Sequence, residues 1–406
     1  MRIFFLHNNF PGQYRRIVQQ LIGKPGIEMM AASLATNQQK SPITRLGYRR
    51  HREPSPKIHP ALFSTERAVI QGQAVLKALL PLRQRGWKPD IVLAHTGFGD
   101  GLFVKDVWPE TRLLSYLEWY YDPQGQEGSF LLGGKDPGPD ARIRRRMKNS
   151  LILQDLASMD WGQCPTEFQL SQFPRQFRDR ITLLHDGVDF EYFSPSQDAE
   201  LKVGEKTFRR GDPVITYIGR GMEPYRGFPQ LMEAISRLQR KRKDVHAVII
   251  GEDRVAYGAK RADGKTYREA ALEEWPIDET RVHFVGRQPL SYLRDAFRVA
   301  AAHIYLTVPF VLSWSMLEAM SAGALIVGSD TEPVREVVQD GTNGLLVPFF
   351  DAQALADKID YALDNQDKLA PLRTAARALI GERYDARVLG GRQWQLIQDV
   401  ANGSRN

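Results

Sequence analysis

From Val214 onward the chain alternates short apolar runs with amphipathic stretches, and that alternation confines it to few folds. Val214–Ile218, His246–Ile250, Val282–Val285, His303–Leu306, Ala324–Gly328 and Gly344–Val347 are short and rich in apolar residues. Helical patterns fall between them, at Phe228–Gln239, Leu290–Ala296, Trp314–Ala322 and Pro333–Asp340. Another, Asp351–Asn365, follows the last run. Strands buried on both faces read as continuous apolar runs. Strand–helix–strand units of this length predict a parallel, doubly wound sheet.

The first half carries the same grammar in weaker form. Ile3–Leu6 precedes a loop with Pro11 and Gly12, then the helical pattern Tyr14–Ile22. Asp90–Ala94 runs into His95 and the loop Thr96–Gly99, and Leu113–Leu117 runs into Glu118. Ile181–Leu184 closes on His185-Asp186-Gly187-Val188-Asp189. Gly125–Asp140 reads as a long loop, and the polar stretch 194–212 reads as a linker. The predicted architecture is α/β, with two Rossmann-like doubly wound domains facing across a cleft. The domains span 1–200 and 206–385, and a closing helix in 386–406 has the option of crossing back to the first. Ligands of such sheets sit outside the carboxyl ends of the strands, so the cleft is the default site.

Composition removes several classes. No apolar run approaches the ~18–20 residues that span a bilayer. The opening MRIFFLHNNF reads as a buried strand and lacks the long apolar region of a signal peptide. Cys164 is the only cysteine, which excludes an internal disulfide and a cysteine-rich zinc site. It fits a reducing compartment, and the expected location is the cytoplasm. The formal charge of +7 is concentrated in Arg142–Lys148 and Arg237–Lys243. No zinc-finger, RRM or KH signature accompanies them, so nucleic acid is not an expected partner. A solvated helix face is the preferred reading of Arg142–Lys148. Peripheral contact with the inner face of an anionic membrane is the alternative. There is no G-x-S-x-G elbow, H-E-x-x-H or Walker A motif. The carboxylates of Asp186 and Asp189 read as turn chemistry, and no metal is expected.

Three groups of residues could carry chemistry. Tyr305–Pro348 opens with a strand end, a proline loop and a helix starting near Ser313, Trp314 and Ser315. Free N–H groups and hydroxyls at a helix N-terminus attract anions. Glu318, one turn on, is placed to accept two hydrogen bonds from ribose hydroxyls. Its i+4 position is Ala322, so no helical ion pair explains it. In Val214–Gly227 the G-x-G is Gly219-Arg220-Gly221, but Pro224 stands where a dinucleotide fingerprint needs glycine. The loop instead offers Arg220 and Arg226, whose guanidinium groups suit a diphosphate; solvated surface arginines are the bland alternative. His7, His95 and His185 lie at strand ends. His95 stands out for hydrogen-bonding a sugar hydroxyl or accepting a proton.

These residues resemble a known family. Ile218–Gly227 (IGRGMEPYRG), His283–Arg287 (HFVGR), Leu317–Asp330 (LEAMSAGALIVGSD), Val334–Val338 (VREVV) and Asp340–Pro348 (DGTNGLLVP) resemble the retaining glycosyltransferases of family 4, which have the GT-B fold. The N-terminal half is similar more loosely, through the opening strand and loop, His95, and His185–Asp189, where the family usually has Asn-Gly-Val-Asp. The resemblance implies a nucleoside-diphosphate sugar as donor substrate, held by the C-terminal domain without metal or other cofactor. It implies a glycan, lipid-linked glycan or other acceptor on the N-terminal domain, and a place in polysaccharide biosynthesis.

Residue by residue, Glu318 matches the second glutamate of the family's E-x7-E motif and should hold the ribose. Arg226 matches the usual lysine and, with Gly219 and Arg220, should hold the diphosphate, on a loop one residue longer than is common. His95 resembles the histidine near the transferred sugar. Gly12 lies in a first loop expected to contact acceptor or phosphate. The first motif glutamate falls on Phe310, which cannot accept hydrogen bonds from a sugar. Three outcomes stay open: backbone N–H groups of Val311, Leu312 and Ser313 take over, the donor sugar differs, or activity is lost. With Trp314, Ser315 and Leu317 these residues complete the expected donor-binding set. A nucleotide-sugar epimerase and a non-catalytic nucleotide-sugar-binding protein are the rival readings.

Overall fold

The computed structural model describes residues 1–405. The chain divides into two compact units, Met1–Gly187 together with the chain's end from Ala386, and Val188–Asp385. The boundary therefore lies after Gly187, not at 200, and the closing helix Ala386–Ala401 belongs to the first unit.

Packing sets this boundary. The Val188 N–H donates to the Tyr384 carbonyl at 2.7 Å. Val188 and Phe193 are buried in the second unit's core with Phe297, Met316 and Tyr384. The expected linker is not a linker. It holds an antiparallel hairpin, β8 (Glu200–Val203) and β9 (Lys206–Arg209). Leu201, Val203 and Phe208 bury one face of it against Val214, Val248 and Ile250. Period-two burial of this kind is easily lost among the charges that occupy the other face.

The first unit is built on seven parallel strands: β1 (Arg2–Leu6), β2 (Glu28–Leu34), β3 (Thr44–Tyr48), β4 (Ile91–His95), β5 (Arg112–Tyr116), β6 (Trp161–Cys164) and β7 (Ile181–Leu183). Their order is β3-β2-β1-β4-β5-β6-β7. Successive residues of β1 serve opposite faces. Ile3 and Phe5 pack with Ile17, Val18, Leu21, Leu396 and Ile397. Phe4 and Leu6 pack with Val75, Leu79 and Leu82 of the Phe63–Gln84 helix. The stretch read as a loop, 125–140, contains the turns Gln126–Ser129 and Phe130–Leu132. It ends at Pro139, the first residue of a helix to Ser158. Proline suits that position because its missing N–H would be unpaired there anyway.

The second unit has six parallel strands: β10 (Val214–Gly221), β11 (His246–Glu252), β12 (Val282–Gly286), β13 (Ala302–Tyr305), β14 (Ile326–Ser329) and β15 (Leu345–Val347). Their order is β12-β11-β10-β13-β14-β15. In each sheet the order of winding reverses once, between β1 and β4 and between β10 and β13. Such switch points open a crevice at the carboxyl ends of the two strands, where ligands of open α/β sheets bind.

Candidate functional site

Most of the residues singled out from the sequence gather at these two switch points, whereas His185 follows β7 at the edge of the first sheet. In the second unit, β10 continues past Ile218 with a register shift and carries Gly219 and Arg220 on its end. A turn, Pro224–Arg226, follows, and Gly227 (φ +63°) starts the Phe228–Lys241 helix. The turn sends Arg226 inward, leaving it 8% exposed. Its Nη1 donates to Thr307 Oγ1 at 2.8 Å and to Tyr305 Oη at 3.3 Å, both just beyond or at the end of β13. The Tyr217 hydroxyl donates to the Arg226 carbonyl at 3.0 Å.

Aromatic rings complete the surroundings of this guanidinium. It lies 5.5 Å from the Tyr257 ring and 6.0 Å from the Phe310 ring. Phe310 meets Tyr225 and Tyr257 edge-on at 5.6 and 5.3 Å. Arg220 donates to the Tyr257 hydroxyl at 3.2 Å. Tyr257 is itself held by the buried Glu223, whose Oε2 accepts from the backbone N–H of Tyr257 at 2.8 Å and from that of Ala256. Burial raises the Glu223 pKa above the ordinary carboxylate range. Phe310 is only 6% exposed. Its ring thus supports Arg226 by a cation–π contact. Ser313 caps the Trp314–Ser321 helix, its Oγ accepting from Ser315 N at 3.3 Å. The Ser313 N–H donates to Tyr305 Oη at 2.7 Å. Tyr305 therefore ties this helix start to Arg226. Glu318 is buried one turn along the same helix. The side chains of Leu312 and Leu317 lie in the apolar core, which leaves only their backbone for a ligand.

In the first unit, His7 follows β1, His95 ends β4 and Glu118 follows β5. Gln13 bridges them: its Oε1 is 2.7 Å from His7 Nε2, and its Nε2 donates to Glu118 Oε1 at 2.9 Å. His95 Nε2 lies 3.8 Å from Glu118 Oε2. The His95 ring stacks on Phe98 and Tyr116 at 5.0 and 5.3 Å. Burial lowers its pKa to about 4. Gly12 (φ +46°) is where the loop passes over His7; a Cβ there would be 2.6 Å from His7 Nε2.

The profile of the glycosyl transferase family 4 group matches residues 25–193, and that of glycosyl transferases group 1 matches residues 198–379. The chain belongs to the family 4 glycosyltransferases. Among relatives, the phosphatidyl-myo-inositol mannosyltransferase of Mycobacterium leprae is 31% identical over 202 residues, 47% of this chain and 48% of that protein. The D-inositol 3-phosphate glycosyltransferase of Corynebacterium glutamicum is 29% identical over 197 residues, 47% of this chain and 44% of that protein. The aligned region thus spans about half the length of these curated relatives. The fold is that of solved structures that include sucrose-phosphate synthase from Thermosynechococcus elongatus, with a TM-score of 0.73 at 16% identity over 99% of this chain and 100% of that one. Anabaena HepE in complex with UDP-glucose gives a TM-score of 0.69 at 14% identity over 98% and 100%.

Several residues of these two clusters escaped sequence reading. Tyr305 and Thr307 flank a strand end and had that positional signal. Gln13 lies beside Gly12 in the first loop and shared its signal, whereas Tyr257 had none, because it reaches its cluster only through tertiary packing. Part of each basic stretch is engaged with the protein itself. Arg142 pairs with Asp136. Arg237 pairs with Glu233, Lys241 with Asp360, and Arg242 with Asp244, Asp360 and Asp364. Among the described residues no three His, Cys, Asp or Glu side chains gather as a metal set. Nor is any helix among them long and apolar enough to cross a membrane.

His185 gives a pH prediction for the stability of the chain. Its Nδ1 accepts from the Gly187 N–H at 2.9 Å, and burial, then Arg16, lowers its pKa to about 3. The unfolded chain takes up this proton near pH 6.5 and the native state only near 3, so stability falls as pH drops between them. Asparagine can keep the Gly187 hydrogen bond and cannot titrate. His185→Asn should therefore remove about 2 kcal/mol of the stability lost between pH 7 and pH 5. Urea unfolding at both pH values checks this, and equal losses in the two proteins would refute it. Asp155 and Asp100, whose pKa values burial raises to about 7 and about 6, act in the opposite direction but are shared by both proteins.

Proposed function

We propose that this protein is a retaining, metal-independent glycosyltransferase that moves a sugar from a nucleoside-diphosphate sugar to a glycan, lipid-linked glycan or other hydroxyl acceptor. One observation carries this reading. Arg226 is buried at the β10–β13 switch point, hydrogen-bonded to neutral hydroxyls and bound through Tyr305 to the start of the helix that bears Glu318. A buried cation held by neutral partners keeps its charge for an incoming anion.

In this reading Glu318 receives the ribose hydroxyls. Arg226, Arg220 and the N-terminus of the Trp314–Ser321 helix hold the diphosphate and stabilise the charge that develops as the glycosidic bond breaks. The departing phosphate oxygen takes the proton of the attacking hydroxyl on the same face, so the anomeric configuration is kept and no protein nucleophile is needed. The arginines take the electrostatic role that a metal has in other transferases.

The test is a thermal-shift panel of UDP, GDP, ADP, UDP-glucose and GDP-mannose, each without metal and then with magnesium. A ligand at about 100 times its Kd adds about 2.7 kcal/mol. For a unit of this size that is a rise of roughly 5–10 °C. Glu318→Ala should abolish the rise. No shift with any compound would overturn the reading. A diphosphate that stabilises while its sugar conjugates do not would mean that Phe310 blocks the sugar pocket.

A further inference from the structure

The hydroxyls bonded to Arg226 and Arg220 each have one proton to give, and its destination can be traced. The Tyr217 hydroxyl donates to the Arg226 carbonyl at 3.0 Å. Thr307 Oγ1 accepts from Arg226 and donates to the Val308 carbonyl at 3.0 Å. The Tyr257 hydroxyl accepts from Arg220 and belongs to a half-buried side chain, so water can take its proton. Tyr305 differs. Its Oη accepts twice, from Arg226 Nη1 at 3.3 Å and from the Ser313 N–H at 2.7 Å. Neither bond uses its proton, and no acceptor for that proton is present among the described residues. The side chain is 2% exposed. Phe310, the ring against the same guanidinium, offers no oxygen. Buried polar groups are hydrogen-bonded as a rule, and each exception asks for an explanation.

The two bonds that Tyr305 accepts also strengthen it as a donor. A guanidinium and the N–H of a helix start both draw electron density from Oη, and hydrogen bonds in a chain polarise one another. Burial holds the phenol above its ordinary pKa range, so the proton stays in place. A buried O–H donor within 3.3 Å of Arg226 suits an anion on that guanidinium and does not suit an apolar or cationic group. The Ser313 N–H, one of the backbone groups expected to replace the missing motif carboxylate, is occupied by Tyr305 and acts on a ligand only through the phenol. We propose that the Tyr305 hydroxyl donates its proton to an oxygen of the diphosphate held by Arg226, and so is a further binding residue of this site. The proposal rests on the function proposed above for its ligand. It adds to the two arginines a neutral donor that carries the polarity of the helix start to the anion.

The test separates the two roles of the hydroxyl. Tyr305→Phe removes both, because it also takes an acceptor from Arg226 and from Ser313. Tyr305→3,5-difluorotyrosine, introduced at this one codon, sets them against each other: a more acidic phenol donates more strongly and accepts more weakly. Melting temperatures of the full chain are read at pH 6, where the fluorinated phenol keeps its proton. They are taken without ligand and over titrations of inorganic pyrophosphate, UDP, GDP and ADP, with sodium sulfate of equal ionic strength as control. Tyr305→Phe should bind pyrophosphate and the preferred nucleoside diphosphate about 10- to 100-fold more weakly, the range for one hydrogen bond to a charged group. The difluorotyrosine protein should melt no higher than the native protein when unliganded, yet bind both anions more tightly. Equal or weaker anion binding by the difluorotyrosine protein, while the native protein responds, would overturn the proposal and leave the Arg226 assignment standing. Native affinity in Tyr305→Phe would do the same. A native protein that responds to none of the four anions beyond the sulfate control would instead overturn the function proposed above, and this inference with it.

Discussion

Arg226→Ala should lower sugar transfer from a nucleoside diphosphate by about 100- to 1,000-fold, the usual loss when one preorganised donor to a developing anion is removed. Two effects combine. The diphosphate loses a charged, forked donor, and Phe310 and Tyr257 lose the cation that sits against their rings. Arg226→Lys separates them: it restores a charge but neither the fork nor the planar stacking group. Its rate should fall between alanine and native. Arg220 is an exposed side chain at the same strand end, so Arg220→Ala should cost less, about tenfold. Initial rates with donor saturating and subsaturating would decide. Native-like rates in Arg226→Ala would remove the diphosphate assignment.

Gly251→Ala should be the most damaging single methyl group near this site. Gly251 lies in β11 with φ +147°, a conformation that residues with a Cβ rarely adopt. An added Cβ would overlap the carbonyl oxygen of Gly219, the residue before Arg220 on the neighbouring strand end. Strain of about 1–3 kcal/mol and an overlap of similar size sum to about 3–5 kcal/mol. For a unit of this size that lowers the melting temperature by about 10 °C. The displaced Gly219 carbonyl also shifts Arg220, so diphosphate affinity should fall even at temperatures where the protein stays folded. Calorimetry and the diphosphate thermal shift together measure both parts. A native melting temperature in Gly251→Ala would contradict the close approach of β10 and β11.

Sequence reading reached Arg220, Arg226, Ser313 and Glu318 because each belongs to a local pattern. The first two sit on a loop after an apolar strand, and the others open a helix. It could not reach the partners of Phe310. Read alone, Phe310 is a motif carboxylate missing; folded, it is a buried ring against Arg226, Tyr225 and Tyr257. The hairpin in 200–209 was lost for a related reason. Only three buried apolar side chains mark it, and their meaning appears only when Val214, Val248 and Ile250 lie beneath them.

What the chain's order of residues determined by itself is the alternation of strand and helix, hence two parallel sheets, and the family to which they belong. Those signals are periodic and local, and burial on a sheet or helix face writes them directly into neighbouring residues. The tertiary structure alone decided that β1 lies beside β4 and β10 beside β13, and so which strand ends share a crevice. It decided that Gln13 joins His7 to Glu118 and that Glu223 delivers Tyr257 to Arg226. Such pairings depend on long-range packing of whole elements, and a polar side chain carries no mark of the distant partner that will satisfy it.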